Sequence, residues 1–208
     1  MARPMLVVTC AVVAGAIAGA TIALVARDHS SATSSTVGSG VAASQTRTLP
    51  PFSAVELAGS NNVVIRVGAA QAVVVHADAN LLRRVTTAVR DSTLEIGDLP
   101  GSYRTKSPMS VDVTVPSLTR VAVSGSGNVT ASGSTPRLEA VLSGSGNLFL
   151  AELHAPAVRA QLTGSGTIRV TATATLDVRL SGSGAVFYGG HPSHVTSAIT
   201  GSGVVLQN

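Results

Sequence analysis

The most regularly placed reactive groups in this chain are five serines, each held between two glycines. Successive serines lie 19, 20, 18 and 19 residues apart. A serine nucleophile needs the strained Gly-x-Ser-x-Gly turn and a base beside its hydroxyl, and that turn is not spelled here. An enzyme also uses a nucleophile once rather than five times, so we expect no catalytic serine. The five residues are Ser126, Ser145, Ser165, Ser183 and Ser202.

Three other patterns could bind a metal or a cofactor, and each lacks residues that its chemistry needs. His191 and His194 could be half of a metal site, but no cysteine or acidic residue lies close by, so we expect a solvated loop. A calcium-binding repeat needs a regularly placed aspartate, which these repeats lack. Gly38 to Ala43 spells G-x-G-x-x-A, but no strand pattern precedes it and no helix pattern follows. We therefore expect no metal, no cofactor and no catalytic residue.

Carboxylates that could cleave a polysaccharide are present, but they are not paired. Such an enzyme needs two carboxylates in one groove, whereas Glu139, Glu152 and Asp177 stand singly. Aromatic residues make up only 2% of the chain, so platforms for stacking sugars are also missing. A non-catalytic module is therefore the leading prediction, and an enzyme acting on envelope polysaccharide is the alternative.

The basic residues do not indicate a nucleic-acid partner. The formal net charge is +4, and the 14 lysines and arginines are scattered along the chain. A surface that binds nucleic acid needs a basic patch or stripe. We therefore expect no nucleic acid.

The serines belong to an internal repeat that also carries an alternating apolar pattern. In the third copy Val158, Ala160 and Leu162 alternate with Arg159 and Gln161. Such alternation indicates a strand with one buried face. The pattern resumes after the glycines, so each copy predicts a strand, a Gly-Ser-Gly corner, a second strand and a loop. The structural corners are Gly125, Gly127, Gly144, Gly146, Gly164, Gly166, Gly182, Gly184, Gly201 and Gly203.

Stacking these units predicts an all-β fold, a parallel β-solenoid or β-helix with coils of about 19 residues. The corner glycines are expected to point inward, where the missing Cβ lets the chain bend tightly. Coils about 4.8 Å apart would align four charged side chains of alternating sign in one outer column. These are Arg120, Glu139, Arg159 and Asp177. The alternative is an antiparallel β meander, sandwich or barrel, because short strands at regular spacing also indicate it.

Composition divides the chain into three segments. Residues 1-27 predict a membrane anchor or a signal peptide: Met5 to Ala26 is uncharged and long enough to span a bilayer, while Ala18-Gly19-Ala20 matches a cleavage site. Residues 28-48 predict a flexible Ser/Thr/Ala/Gly linker. Residues 49-208 predict the β-repeat domain, with regular repeats in 119-208. Either role of the first segment places this domain outside the cytoplasm.

Four features of residues 49-208 occur together: Phe52 to Leu57, Leu94 to Ile96, Val111 to Pro116 and the serial Gly-Ser-Gly-Asn motifs. This combination resembles the head GIN domain family, a domain of unknown function named for auto-transporter adhesin heads. The resemblance implies a β-helical, extracytoplasmic domain with an adhesin-like role. The motif asparagine is kept at Asn128 and Asn147 and is replaced in the later copies by Thr167, Ala185 and Val204. The chain ends at Asn208 without the length for an outer-membrane translocator, so we do not expect it to export itself.

The function predicted from these features is that of a non-catalytic envelope protein, either an adhesin-like module or a scaffold. We expect an envelope or surface partner whose identity the sequence does not specify, and membrane contact through the N-terminal segment. The domain is expected to be anchored to the inner membrane and to lie outside the cytoplasm, or to be secreted after signal cleavage. Homo-association through the open end of the last repeat is a further expectation.

Overall fold

The structure of the protein is a computed structural model that describes residues 35–208. The predicted anchor or signal peptide, residues 1–27, lies outside the described residues. Within residues 35–208 no helix is long and apolar enough to cross a membrane. The described residues form seventeen strands: β1 (Thr36–Val37), β2 (Ala42–Thr46), β3 (Ala54–Gly59), β4 (Asn62–Val67), β5 (Ala72–Asp78), β6 (Val85–Arg90), β7 (Thr93–Asp98), β8 (Tyr103–Arg104), β9 (Ser110–Val115), β10 (Arg120–Gly125), β11 (Asn128–Ser134), β12 (Arg137–Gly144), β13 (Asn147–Gly164), β14 (Thr167–Gly182), β15 (Ala185–Gly189), β16 (His194–Gly201) and β17 (Val204–Gln207).

Fifteen of these strands form one mixed sheet, while β1 and β8 form a separate small pair. The main path runs β2-β5-β9-β4-β11-β13-β12-β10-β3-β7-β6. Beyond β13, β14 pairs with both β15 and β16, and β15 pairs with β17. β13 is long enough to pair with β11 through its first part and with β12 through its last part. The sheet curls around a single apolar core.

The prediction of a parallel β-solenoid, or β-helix, with regular coils is wrong. The sheet is mixed and curls into a half-barrel, and the pairs β2–β5, β5–β9 and β6–β7 are antiparallel. The coils are not regular either, since β13 and β14 run through 18 and 16 residues, with register shifts between Leu150 and His154 and between Ala155 and Ala157. The antiparallel meander or sandwich does not describe the fold either, because all the remaining strand pairs among residues 35–208 are parallel.

Local turn chemistry explains why the first part of the domain departs from the repeat. Asp91 and Ser92 join β6 to β7, and both have positive φ, at 47° and 60°. Two consecutive residues of this conformation make the type I′ turn that closes a two-residue hairpin. The chain therefore reverses at once, and β7 lies antiparallel to β6. Elsewhere in this part of the chain parallel pairing persists, since β3 pairs with β7 and β4 pairs with β9 in parallel.

Part of the segment predicted as a linker forms a strand. Residues 42–46 make up β2, which pairs antiparallel with β5 from Ala42–Asp78 to Thr46–Val74. Its side chains are mostly exposed, so backbone hydrogen bonds rather than apolar burial hold it in place. A polar composition does not reveal such a strand, because the strand depends on a partner distant in sequence.

In residues 119–208 the inner side chains pair in register across parallel strands. Leu142 pairs with Leu162, and Leu162 pairs with Leu180; all three are buried. Burying each leucine contributes about 1.5–3 kcal/mol relative to leaving it in water. Since successive residues of a strand point to opposite faces, this register also aligns the outward side chains in columns.

Candidate binding surface

The corner glycines bring neighbouring strands into close backbone contact. Gly125 has a φ of 129°, and a Cβ added there would lie 2.6 Å from the carbonyl oxygen of Gly59. A Cβ added to Gly184 would lie 2.5 Å from the carbonyl oxygen of Gly166. These glycines carry no reactive group, so their role is to position the columns on either side of them. The first glycines of the five motifs are direct register partners in the sheet: Gly125, Gly144, Gly164, Gly182 and Gly201.

One outward column carries the alternating charges expected from the repeat. Its register runs through four adjacent strands: Arg120, Glu139, Arg159 and Asp177. The Arg120 guanidinium lies 2.7 Å from the Glu139 carboxylate, and Arg159 lies 3.7 Å from Asp177. Each carboxylate of the column therefore faces an arginine rather than a second carboxylate. This arrangement favours the register of the strands and does not resemble a glycosidase pair.

Of the candidate histidines, His191 lies in the loop between β15 and β16, and His194 is the first residue of β16. His191 and His194 are exposed, and His194 Nδ1 lies 3.0 Å from the hydroxyl of Ser193. Among residues 35–208 no group of three or more His, Cys, Asp or Glu side chains is arranged to hold a metal. A shallow groove of about 380 Å³ runs beside His194 and is lined in part by Arg137, Arg159 and Asp177.

A second outward column is apolar, with a single cation, and sequence reasoning missed it. Four residues follow each other as register partners on β13, β14, β15 and β17: Phe149, Arg169, Phe187 and Leu206. We call this set the Phe–Arg column. The Arg169 guanidinium lies 5.0 Å from the centre of the Phe187 ring, within the range of a cation–π contact. Phe149 and Leu206 are 39% and 48% exposed.

The signal for this column was present in the repeat. Each member follows directly after the apolar residue that ends a motif, as in Leu148-Phe149 and Val186-Phe187. Reading that position across the last four copies would have aligned an aromatic, a cation, an aromatic and an aliphatic side chain.

An amide ladder flanks the Phe–Arg column. Asn128 donates from Nδ2 to Oδ1 of Asn62 at 3.0 Å, and Asn147 donates in the same way to Asn128 at 2.8 Å. The ladder stops where Thr167 replaces the asparagine, and Val204 is exposed at the end of the same column. The surface therefore changes from polar to apolar towards β17.

Asp78 is the one charged side chain that is fully buried among residues 35–208. Its carboxylate accepts hydrogen bonds from the backbone N–H groups of Gly40 at 2.7 Å, Lys106 at 2.8 Å and Ser107 at 3.2 Å. The Ser107 hydroxyl donates a further bond at 3.0 Å. The Lys106 N–H is the main cause that holds the pKa of Asp78 below its ordinary value of 3.8, against the opposing effect of burial. Its hydrogen bonds hold three separate segments together, so Asp78 is a structural residue.

The described surface offers exposed side chains that are aligned in columns along a mixed β-sheet. The chain belongs to the family described as "putative auto-transporter adhesin, head GIN domain", whose model matches residues 51–131 and 119–192. The resemblance inferred from the motifs is thereby confirmed, and the adhesin-like character of the chain rests on this family.

A comparison with solved structures finds one with a similar fold and others that match more weakly. A putative adhesin from Bacteroides fragilis is 18% identical, with a TM-score of 0.53 over 83% of this chain and 99% of that one. A putative lipid binding protein from Parabacteroides distasonis is also 18% identical, with a TM-score of 0.49 over 84% and 100% of the two chains. No curated protein matches the sequence.

Proposed function

We propose that this chain is a non-catalytic, adhesin-like module that lies outside the cytoplasm and binds a protein on an envelope or cell surface through the Phe–Arg column. The observation that carries the proposal is the alignment of Phe149, Arg169, Phe187 and Leu206 on one exposed face. The family to which the chain belongs supports an adhesin-like role. The export segment predicted in residues 1–27 supports the location.

The composition of the column favours a protein partner over a glycan. Protein interfaces are enriched in aromatic residues and arginine and depleted in lysine, aspartate and glutamate, and the column has this composition. Among residues 35–208 no carboxylate forms an ion pair with Arg169, so its guanidinium can meet a carboxylate of the partner. The contact with Phe187 holds Arg169 in place, which reduces the entropy lost on binding.

A catalytic role is not part of this proposal. Glu139 and Asp177 each form an ion pair with an arginine. Glu152 lies in the first part of β13, opposite Ser132 of β11. The arrangement does not provide two carboxylates that face one substrate.

The test is a binding measurement on intact bacterial cells and isolated envelopes with the immobilised full chain. We expect Phe149→Ala and Arg169→Ala each to weaken binding by about tenfold or more, as truncation of an interface anchor does. The matched control is Thr163→Ala, an exposed substitution on the opposite part of β13. Protease treatment of the cells should abolish binding. Binding that survives protease but is lost after glycan removal would overturn the proposal of a protein partner, and unchanged binding by both variants would overturn the site.

The location is tested separately by fractionating cells and sequencing the N-terminus of the mature protein. A chain that begins at Met1 in the membrane fraction indicates an anchor. A chain whose first residue is residue 21 or a later one indicates cleavage. Recovery in the cytoplasmic fraction would contradict an extracytoplasmic location.

A further inference from the structure

The last two strands leave the apolar core open at one edge of the sheet. All residues of β16 are exposed, and its inward-facing Val195 and Ile199 are each 45% exposed. Their register partners on β14, Leu176 and Leu180, are each only 2% exposed. The same side-chain positions are thus buried one strand earlier because β16 covers them, while nothing among residues 35–208 covers β16.

The backbone is open at the same place. Within residues 35–208, β16 pairs only with β14, and β17 pairs only with β15. Each of these two strands therefore presents one row of N–H and C=O groups without a strand partner, which is a template for adding another strand. We call β16 and β17 together the terminal edge.

The opposite end of the sheet differs in burial and charge. There β6 is also an edge strand, since among the described residues it pairs only with β7, but the apolar side chains of Phe52, Leu81 and Val85 are all buried. β6 ends in Arg90, which lies 3.3 Å from Glu95 of β7, and it follows Arg83 and Arg84, so this edge is charged. Charged residues at an edge oppose pairing with another sheet. The two ends are therefore unlike, and the terminal edge does not match the far end of another molecule.

We propose that two copies of this chain associate head to head through the terminal edge, with β16 against β16 of the second copy and β17 against β17. The second copy fits because the fold already covers this surface with its own motif: Leu180 pairs with Ile199, and Gly182 with Gly201. β16 and β17 contain no Asp, Glu, Lys or Arg, so no like charges meet. A two-fold axis makes both contacts antiparallel and closes the assembly at two copies.

Strand length favours pairing each strand with the same strand of the second copy. β16 has 8 residues and β17 has 4, so only the pairing of each strand with its own copy matches both lengths. In this arrangement the two Phe–Arg columns lie on the same side of the dimer and meet at Leu206. The dimer does not depend on the proposed binding function, since Val195 and Ile199 face the core side and not the Phe–Arg column.

The oligomeric state of the full chain in mild detergent tests the proposal by sedimentation velocity over a range of concentrations. We expect a dimer whose dissociation constant rises by about 30-fold or more in Val195→Arg and in Ile199→Arg, as for loss of an interface hot spot. The control is Thr163→Arg, an exposed change in the middle of the sheet, which should leave dimerisation intact. Far-ultraviolet circular dichroism checks that each variant retains its strands.

A cysteine at the terminal edge provides a second measurement that does not rely on weakening the contact. Ser197→Cys lies near the middle of β16, so the two copies should form a disulfide-linked dimer on mild oxidation. Thr163→Cys should not. A monomer at all concentrations, a dimer unaffected by both arginine variants, or equal cross-linking by both cysteine variants would overturn the proposal. The second of these outcomes would assign association to another part of the chain.

Discussion

Gly184 illustrates how little space single residues have at the corners of this sheet. A Cβ there would lie 2.5 Å from the Gly166 carbonyl oxygen and 2.6 Å from Cδ2 of Leu162. The leucine could move, but the carbonyl oxygen belongs to a backbone that is held by its own hydrogen bonds. Gly184 is therefore needed for close approach of two strands, while the neighbouring Ser183 is exposed and contacts water.

Gly184→Ala should lower the free energy of unfolding by about 1–3 kcal/mol, since an added methyl in a packed position forces the backbone to shift. Ser183→Ala, one residue away and exposed, should change it by less than about 0.5 kcal/mol. Urea unfolding followed by circular dichroism measures both. Equal stability of the two variants would contradict the close approach described here.

At the scale of elements, the charged column links four neighbouring strands of the sheet: β10, β12, β13 and β14. β12 lies between β10 and β13, so Glu139 has Arg120 on one side and Arg159 on the other. The side chains are about one-third exposed, and ion pairs in such positions contribute little individually. Their value lies in opposing a slipped register, in which like charges would meet.

Glu139→Arg should place three arginines in adjacent strands and lower the free energy of unfolding by about 1 kcal/mol. Glu139→Gln, which removes the charge without reversing it, should cost about 0.5 kcal/mol or less. The difference between the variants should shrink in high salt, because salt screens exposed charges. Thermal or urea unfolding at two salt concentrations measures this. A difference that is independent of salt would point to packing rather than charge.

At the scale of the whole molecule, the edge strand β2 and the loop after β8 are held to β5 by one buried carboxylate. Asp78 receives hydrogen bonds from Gly40, Lys106 and Ser107, which lie 28 to 38 residues away in sequence. Its pKa in the folded protein lies below 3.8. Folding therefore favours the charged form, and this contribution to stability is present above about pH 4 and is lost as the pH falls through the lowered pKa.

Asp78→Asn should lower stability at neutral pH, because an amide cannot accept all these bonds and turns its own donors towards backbone N–H groups. It should also lose less stability than the wild type between about pH 4 and pH 2, since the group that titrates there is gone. Asp91→Asn, in the exposed β6–β7 turn, is the matched control and should follow the wild type. Urea unfolding midpoints across this pH range measure the effect. Parallel acid profiles of wild type and Asp78→Asn would contradict it.

Alternation along the chain was enough to predict the faces of the strands in residues 119–208. Leu162 is buried and Arg159 points outward as expected, because in a strand the side-chain direction depends only on parity. The motif spacing also predicted which columns would align, including Arg120 with Glu139. These features are local or repeat at a fixed interval, so they can be read without knowing the fold.

Tertiary structure alone decided how the strands are arranged. The alternation of apolar residues specifies which face of β6 is buried, but not whether the neighbouring strand runs parallel or antiparallel. The positive φ of Asp91 and Ser92 makes β7 antiparallel to β6, and the solenoid prediction failed at this turn. The partners of Asp78 and the pairing of β2 are equally non-local. The exposure of Val195 and Ile199 could not be read either, because their pattern is the same as that of buried residues in earlier copies. What differs is the absence, among the described residues, of a further strand to cover them.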